Sequence, residues 1–305
     1  LPFFNKALAL KTNDDEILYA KGDSLFCLEK YQETIQCFDK VLSLDPSNIG
    51  AYIMKAECFV KFERCEEAIQ SCDKAISLDS DCTRAYQMKG VCLNHLDRYQ
   101  DAIECFGKLL SFESENISAL CAKGEALCLL ENYEEAIECL DKALALNPEN
   151  PDADRLKGIS LQKLNRDKEA IECFDRAFCQ DPDNIQYLHW KGNSFCKLGK
   201  YKEALECYNR IISIKPDYSN AYGMKGSCLI KLQRYEEAIL CFDQVLSFEP
   251  NKVKALFDKA DCLFHLERYK EAIEYFDQVL YLNPDNIGAY GIKGNCFFNL
   301  QKYGE

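Results

Sequence analysis

From Asn220 to Pro250 the chain reads NAYGMKGSCLIKLQRYEEAILCFDQVLSFEP. Tyr222, Met224, Cys228, Leu229 and Leu232 return mostly at intervals of three and four, which is the helical rather than the strand period. Tyr235, Ala238, Ile239, Phe242, Val245, Leu246 and Phe248 make a second apolar stripe, with Glu236, Glu237, Asp243 and Gln244 on its other side. The short polar turn Gln233-Arg234 separates the two, and Pro250 closes the segment because proline cannot continue a helix interior. The stretch predicts a helical hairpin.

That hairpin returns every 34 residues along the whole chain. Gly22, Gly90, Gly124, Gly158, Gly192, Gly226 and Gly294 share one row, with Ala56 and Ala260 in its remaining places. Nine positions on come Tyr31, Tyr99, Tyr133, Tyr201, Tyr235, Tyr269 and Tyr303, interrupted only by Cys65 and Asp167. An alanine row (Ala68, Ala102, Ala136, Ala170, Ala204, Ala238, Ala272) and an aromatic row (Phe38, Phe106, Phe174, Tyr208, Phe242, Phe276) follow. Six of the eight prolines then fall in one slot, from Pro46 to Pro284. The glycine and alanine rows predict close approach of paired helices, with the aromatic row filling the space beside them. One hairpin cannot bury both of its apolar faces, so stability has to come from stacking on its neighbours.

Period, glycine, tyrosine, alanine, second-helix aromatic and proline together resemble the tetratricopeptide repeat (TPR) family over essentially the whole chain. Two departures stand out. The aromatic near the start of the first helix is Tyr52, Tyr86, Tyr222 or Tyr290 in four repeats but Asp154 in the fifth, and a lysine row from Lys21 to Lys293 precedes the glycine, where leucine is commoner in the family. The resemblance implies an all-α, right-handed superhelical solenoid of helix-turn-helix hairpins. The expected organisation is a single array over residues 1–305. Residues 1–14 are the end of a preceding repeat, 15–286 are eight full repeats, and 287–305 are a partial ninth. Phe4 falls in the second-helix aromatic slot, no initiator methionine is present, and no polar helix covers the last apolar face, so the chain is expected to be part of a longer protein. Uncapped ends of this kind are expected to favour self-association.

Composition bounds the function. The chain has 305 residues, 48% of them hydrophobic, and a formal net charge of −13. No apolar run is long enough to span a bilayer and no signal-type segment opens the chain, so a soluble, cytoplasmic protein is expected. The triplet Asn116-Ile117-Ser118 matches a glycosylation acceptor only as a chance three-residue pattern. Most of the 19 cysteines fall in two rows beside core positions, Cys37 to Cys241 on second helices and Cys58 to Cys296 on first helices. Free cysteine packs as a small hydrophobe, and an odd total argues against a complete disulfide framework. Cys92-x-x-His95 and Cys262-x-x-His265 have a metal-like spacing, yet the equivalent pairs are Cys58 with Lys61, Cys228 with Lys231 and Cys296 with Asn299, so no metal and no cofactor are expected. No phosphate loop or nucleophile elbow is present, so no catalytic residue is assigned. The acidic surface repels phosphate backbones and favours basic or amphipathic protein segments over nucleic acid. The lysine row is read first as packing, with each aliphatic stem on the helices and each ammonium in water or on a nearby acid.

By resemblance, first helices line a concave groove through the second, fifth, sixth, ninth, twelfth and thirteenth slots. These are the slots at which the repeats differ most. The candidate partner-binding residues are Tyr19, Asp23, Glu57, Gln87, Glu125, Arg155, His189, Trp190, Asn193, Ile230, Phe257, Asp261, Phe264, Asn295 and Phe298. Within this set Ile230, Phe257, Phe264 and Phe298 form one expected apolar patch, and His189 with Trp190 a second, since aromatic anchors dominate many interfaces. A carboxylate clamp of the chaperone-adaptor type is not expected, because the sixth slot never carries asparagine. The leading expectation is a non-enzymatic scaffold that binds protein segments within a larger assembly. The alternative is a regulatory or targeting region of an enzyme whose catalytic domain lies outside these residues.

Overall fold

The computed structural model describes residues 1–10 and 14–302. Those residues form eighteen α-helices and no strand, and they divide into two compact units, Leu1–Ser160 and Leu161–Glu305. The first unit contains α1 (Pro2–Leu10), α2 (Asp15–Cys27), α3 (Tyr31–Leu44), α4 (Ile49–Lys61), α5 (Cys65–Leu78), α6 (Thr83–His95), α7 (Tyr99–Phe112), α8 (Ile117–Leu129), α9 (Tyr133–Leu146) and most of α10 (Pro151–Lys163). The second contains α11 (Asp167–Gln180), α12 (Ile185–Lys197), α13 (Tyr201–Ile214), α14 (Ser219–Lys231), α15 (Tyr235–Phe248), α16 (Val253–His265), α17 (Tyr269–Leu282) and α18 (Ile287–Lys302). Each even-numbered helix from α2 to α16 is the first of a hairpin. The architecture is an all-α solenoid of stacked hairpins in each unit. Tyr303, the last member of the tyrosine row, lies outside the described residues.

Helix ends follow from local chemistry. Asp14, Asn48, Asn116, Asn150, Asn184 and Asn286 cap first helices, each side chain accepting from a backbone N–H two or three residues on. Within each hairpin the first helix stops at a residue in the left-handed region: Glu29, Glu63, Asp97, Glu131, Asn165, Gly199, Gln233 and Glu267, all on the 34-residue grid. Lys30 N–H reaches the Leu25 carbonyl and Glu29 N–H that of Phe26, the crossed pair of bonds of a Schellman turn. Only Gly199 takes this conformation without a Cβ penalty, so the turn is imposed on the other seven by the packing of the hairpins.

The small-residue row acts sterically. A methyl added to Gly226 would lie 2.7 Å from the Phe242 ring, and at Gly90 2.7 Å from Phe106. Gly124 and Gly192 stand in the same way against Leu140 and Tyr208, at 2.9 Å. Repeat two carries the larger Ala56 together with the smaller Cys72 in one buried cluster, a local exchange of volume. The rings Phe38, Phe106, Phe174, Tyr208, Phe242 and Phe276 are among the largest fully buried side chains.

The lysine row clamps successive repeats. Lys55 on α4 meets Asp39 on α3 at 2.6 Å, and the same pairing, 16 residues apart, joins Lys89 to Asp73, Lys157 to Asp141, Lys191 to Asp175, Lys259 to Asp243 and Lys293 to Asp277. The positions facing Lys123 and Lys225 are Gly107 and Asn209, which offer no carboxylate.

The fifth repeat is irregular, and the division between the two units falls inside its first helix. Asp154 is 1% exposed in the first unit and Asp167 5% exposed in the second, in slots held by Tyr222 and Tyr235 in the seventh repeat. One buried carboxylate oxygen of Asp167, Oδ1, has no hydrogen-bond partner. Burying a polar group unpaired costs stability, and an aspartate buries less apolar area than a tyrosine. Amide hydrogen exchange is predicted to be faster in α10 and α11 than in α14 and α15; equal protection would contradict that account. Gly226→Ala is predicted to destabilise the chain by about 1–3 kcal/mol in urea unfolding. The lower end is expected, because Ala260 and Phe276 are accommodated together in the eighth repeat.

Candidate partner-binding surface

First helices of successive repeats touch within each unit, α2 with α4, α4 with α6 and α6 with α8 in one, α14 with α16 and α16 with α18 in the other. The slots singled out in the sequence lie along these contacts. A fifth-slot side chain reaches over the second slot of the next repeat: the Tyr19 hydroxyl sits where a Cβ on Gly50 would be, 2.6 Å away, and Phe257 lies 3.4 Å from that of Gly288. Tyr19 and Phe257 also meet the second-helix rings Phe38 and Phe276 edge-on, at 5.1 and 5.6 Å between centroids. Both residues therefore have packing partners inside the array.

In the first unit, Glu57 is already paired. Arg84 Nε donates to Glu57 Oε1 at 2.9 Å and Arg84 Nη2 reaches the same oxygen, joining the ninth slot of one repeat to the second slot of the next. Glu125 and Arg155 line a shared gap between α8 and α10 with Cys121, Asn150 and Asp152, and Arg155 stands 3.4 Å from Asp152. Asp23 is exposed and Gln87 half-buried. Asn116 of the glycosylation-like triplet is engaged, its Oδ1 by Ala119 N–H and its Nδ2 by Glu113.

In the second unit the structure separates His189 from Trp190. Trp190 stacks on Phe174 at 5.8 Å and takes a hydrogen bond on its carbonyl oxygen from Gln162 Nε2 (2.8 Å). His189 turns its ring edge towards Tyr208, leaves a buried Nδ1 without a partner, and has its pKa lowered by burial. The Tyr208 hydroxyl donates to Asn193 Oδ1 at 2.8 Å, so that groove amide is half-buried and occupied. Ile230, Phe257 and Phe264 are partly buried against the core cluster of this unit, whereas Phe298 is 66% exposed and Asn295 is exposed. Tyr290, Ile287 and Phe297 on α18 are exposed as well.

Sequence reasoning named Asp261 but not Gly223 or Asp258, which with it give this surface its chemistry. Gly223, at a slot elsewhere filled by side chains such as Tyr19 and Phe257, opens a notch between α14 and α16. It encloses, mouth included, about 360 Å³, with Met224, Phe242 and Val245 among the apolar groups beneath and Asp258, Lys252 and Lys254 as the charged groups that line it. Burial pushes the Asp258 carboxyl up to about 6, against a smaller opposing effect of Lys254, and neighbouring Asp261 adds to the rise. Asp261 is raised too, chiefly by burial, and the His265 imidazole Nε2 lies 3.8 Å from its Oδ2. The residue equivalent to Arg84 beside Asp261 is Gly288, so the internal cation that satisfies Glu57 is missing here. The signal was available: Arg84, Asp258 and Gly288 all occupy second or sixth slots.

Several core thiols are held in the protonated form. Burial pushes Cys58, Cys92 and Cys262 up to about 12 and Cys296 up to about 11. Among the described residues no group of three or more His, Cys, Asp or Glu side chains could hold a metal, and no helix is long and apolar enough to cross a membrane.

Comparison with known proteins fits this geometry. The family model described as anaphase-promoting complex, cyclosome, subunit 3 matches residues 1–75, 95–177, 165–245 and 235–305. The chain belongs to that family of tetratricopeptide repeat proteins, and the repeated matching follows its internal period. No curated protein matches it. Among solved structures, YrrB, described as a TPR protein with an unusual peptide-binding site, is 27% identical; the match covers 60% of this chain and 95% of that one, with a TM-score of 0.55. The C-terminal part of a TPR protein from Cytophaga hutchinsonii reaches a TM-score of 0.68 over 79% of this chain and 98% of its own, at 15% identity. The Cut9–Hcn1 hetero-tetramer of the APC/C matches over 93% of this chain and 56% of that chain, at 15% identity and a TM-score of 0.52. At 15% identity these last two likenesses concern the fold alone. Proteins of this fold generally mediate protein–protein interactions.

Tyr208→Phe is predicted to cost about 0.5–1.5 kcal/mol, the scale of one buried hydrogen bond. An unchanged melting temperature would show that the Asn193 contact contributes nothing.

Proposed function

We propose that this chain is a non-enzymatic, cytoplasmic scaffold that holds segments of partner proteins on its first-helix face within a larger assembly, and that the second unit selects segments carrying a basic side chain. The observation that carries the basic preference is the contrast between Glu57, which has Arg84, and two half-buried acids, Asp261, whose Arg84 equivalent is Gly288, and Asp258, where Lys254 only partly offsets burial. The notch under Gly223 offers apolar contact for the stem of a lysine or arginine, and Asp258 offers a carboxylate for its head. The scaffold role is supported by the family description, which names a subunit of a multi-protein complex, and by the peptide-binding site named for YrrB. A formal charge of −13 suits a basic segment and opposes a nucleic-acid partner. Its many cysteines, most of them packed as small apolar groups in the core, suit a reducing cytoplasm.

The titration of Asp258 gives the test its sign. A carboxyl raised to about 6 in the folded chain holds its proton more tightly than the unfolded chain does, so this group favours folding at low pH and that contribution fades as pH rises through about 6. A partner cation binds the ionised form, so affinity should rise over the same interval. With an arginine-containing extended peptide selected from an array and measured by calorimetry, binding is predicted to strengthen from pH 5 to pH 7.5. Asp258→Asn should weaken it about tenfold or more at pH 7.5, the scale of a hydrogen bond to a charged group, and flatten the pH dependence. Equal retention of acidic and basic peptides would remove the basic preference; no peptide retained by any spot would remove the groove reading altogether.

A further inference from the structure

Across neighbouring first helices, the twelfth slot of one repeat meets the tenth slot of the next. In the first unit this contact is Cys128 Sγ with Ser160 Oγ at 2.9 Å, and in the second Gln162 Nε2 donates to Ser194 Oγ at 2.7 Å. Between α12 and α14 both partners are thiols: Cys196 Sγ and Cys228 Sγ stand 3.2 Å apart. Cys196 is half-buried, so small solutes can reach it from the first-helix face, whereas Cys228 is 2% exposed behind it.

We propose that Cys196 and Cys228 are a thiol pair oxidisable by low-molecular-weight disulfides, and that their bridge ties α12 to α14 on the first-helix face of the second unit. This is an activity of the chain's own residues and does not depend on what that face binds. In the first step the Cys196 thiolate attacks one sulfur of the oxidant R–S–S–R, forms a Cys196–S–S–R mixed disulfide and releases RS⁻. In the second, the Cys228 sulfur attacks Cys196 Sγ, gives up its proton, forms the Cys196–Cys228 bond and releases a second RS⁻. Two protein thiols are oxidised by two electrons, the oxidant is reduced to two thiols, and the two protein protons end on the leaving thiolates. Excess reduced thiol reverses both steps.

The surroundings suit these roles. Contact with Cys228 Sγ brings the Cys196 thiol below the ordinary thiol range, against the opposing effect of burial. Cys228 is pushed up, by its contact with Cys196 first and by burial next. The accessible thiol is thus the attacking group, and the enclosed one is held 3.2 Å from the sulfur it must reach.

The test is to incubate the folded chain with oxidised glutathione, trap remaining thiols with an alkylating agent and map the peptides by mass. The expected product is a Cys196–Cys228 bridge that dithiothreitol removes. Cys228→Ser should instead accumulate glutathione on Cys196, and Cys196→Ser should leave Cys228 unmodified. The rate of Cys196 modification should reach half its maximum at a pH below the roughly 8.5 expected for a free thiol. Stable glutathione on Cys196 of the unsubstituted chain with Cys228 still alkylated, or both thiols alkylated under conditions that modify exposed Cys27 and Cys179, would overturn the proposal. Hydrogen exchange in α12 and α14 should slow on oxidation; a bridge that leaves exchange unchanged would overturn the claim that it ties the two helices.

Discussion

The contact on which this molecule depends is a ring pressed against a helix backbone that carries no side chain. Phe38, Phe106, Tyr208 and Phe242 each lie where a Cβ on Gly22, Gly90, Gly192 or Gly226 would stand. That contact sets the separation of the two helices, and the separation sets where the turn between them must run. Seven non-glycine residues accept a left-handed backbone as a result, at about 1–2 kcal/mol each, because the hairpin could not close otherwise. Once hairpins close at a fixed distance they stack in a fixed register, and the 16-residue lysine–aspartate clamp can recur from Lys55 to Lys293. Each clamp is partly exposed and contributes little by itself. Its consequence is register, which brings the second, fifth and ninth slots of neighbouring first helices together.

Architecture was legible in the sequence because packing repeats itself. Glycine, alanine, aromatic and proline rows are different constraints with one period, and each excludes a different alternative fold. Single-residue orientation was less legible. Trp190 reads as an interface anchor when considered alone, yet it stacks on Phe174, and Tyr19 and Phe257 cross onto glycines of the next repeat. A slot number gives the face of a helix; it does not give the size of the residue opposite. The pair that decides exposure is the fifth slot together with the following second slot, and only their combination distinguishes Phe257 over Gly288 from Gly223 beside Lys254.

The cysteine rows illustrate the same limit. On the grid Cys228 looks like Cys58, Cys92, Cys262 and Cys296, small apolar fillers of one slot, and its burial agrees. What differs is the twelfth-slot neighbour, which is Cys196 here and Phe26, Val60, Ile230 or Phe264 beside the others. A row describes what is common to repeats. Chemistry arises where a common residue meets an uncommon one, and that meeting is tertiary.

The same reasoning bears on recognition. A carboxylate half-buried on the first-helix face is desolvated by the neighbouring helices whatever its function, and desolvation is unfavourable to the charged form. The array offsets this at Glu57 by supplying Arg84 from the next repeat. It does not do so at Asp261, where glycine takes the place of arginine, or at Asp258, where Lys254 is the nearby cation but the carboxyl remains raised. Replacing an acid with a close arginine partner by one whose burial is not offset makes little sense as packing, since an apolar residue would fill the same volume without the electrostatic cost. The physical gain from such a half-buried acid comes when a cation arrives from outside, because the desolvation has already been met in the fold and the added charge finds a weakly hydrated partner. That is the physical basis of the basic preference proposed for the second unit, and Glu57–Arg84 in the first unit shows a carboxylate of the same face meeting a cation from within the array.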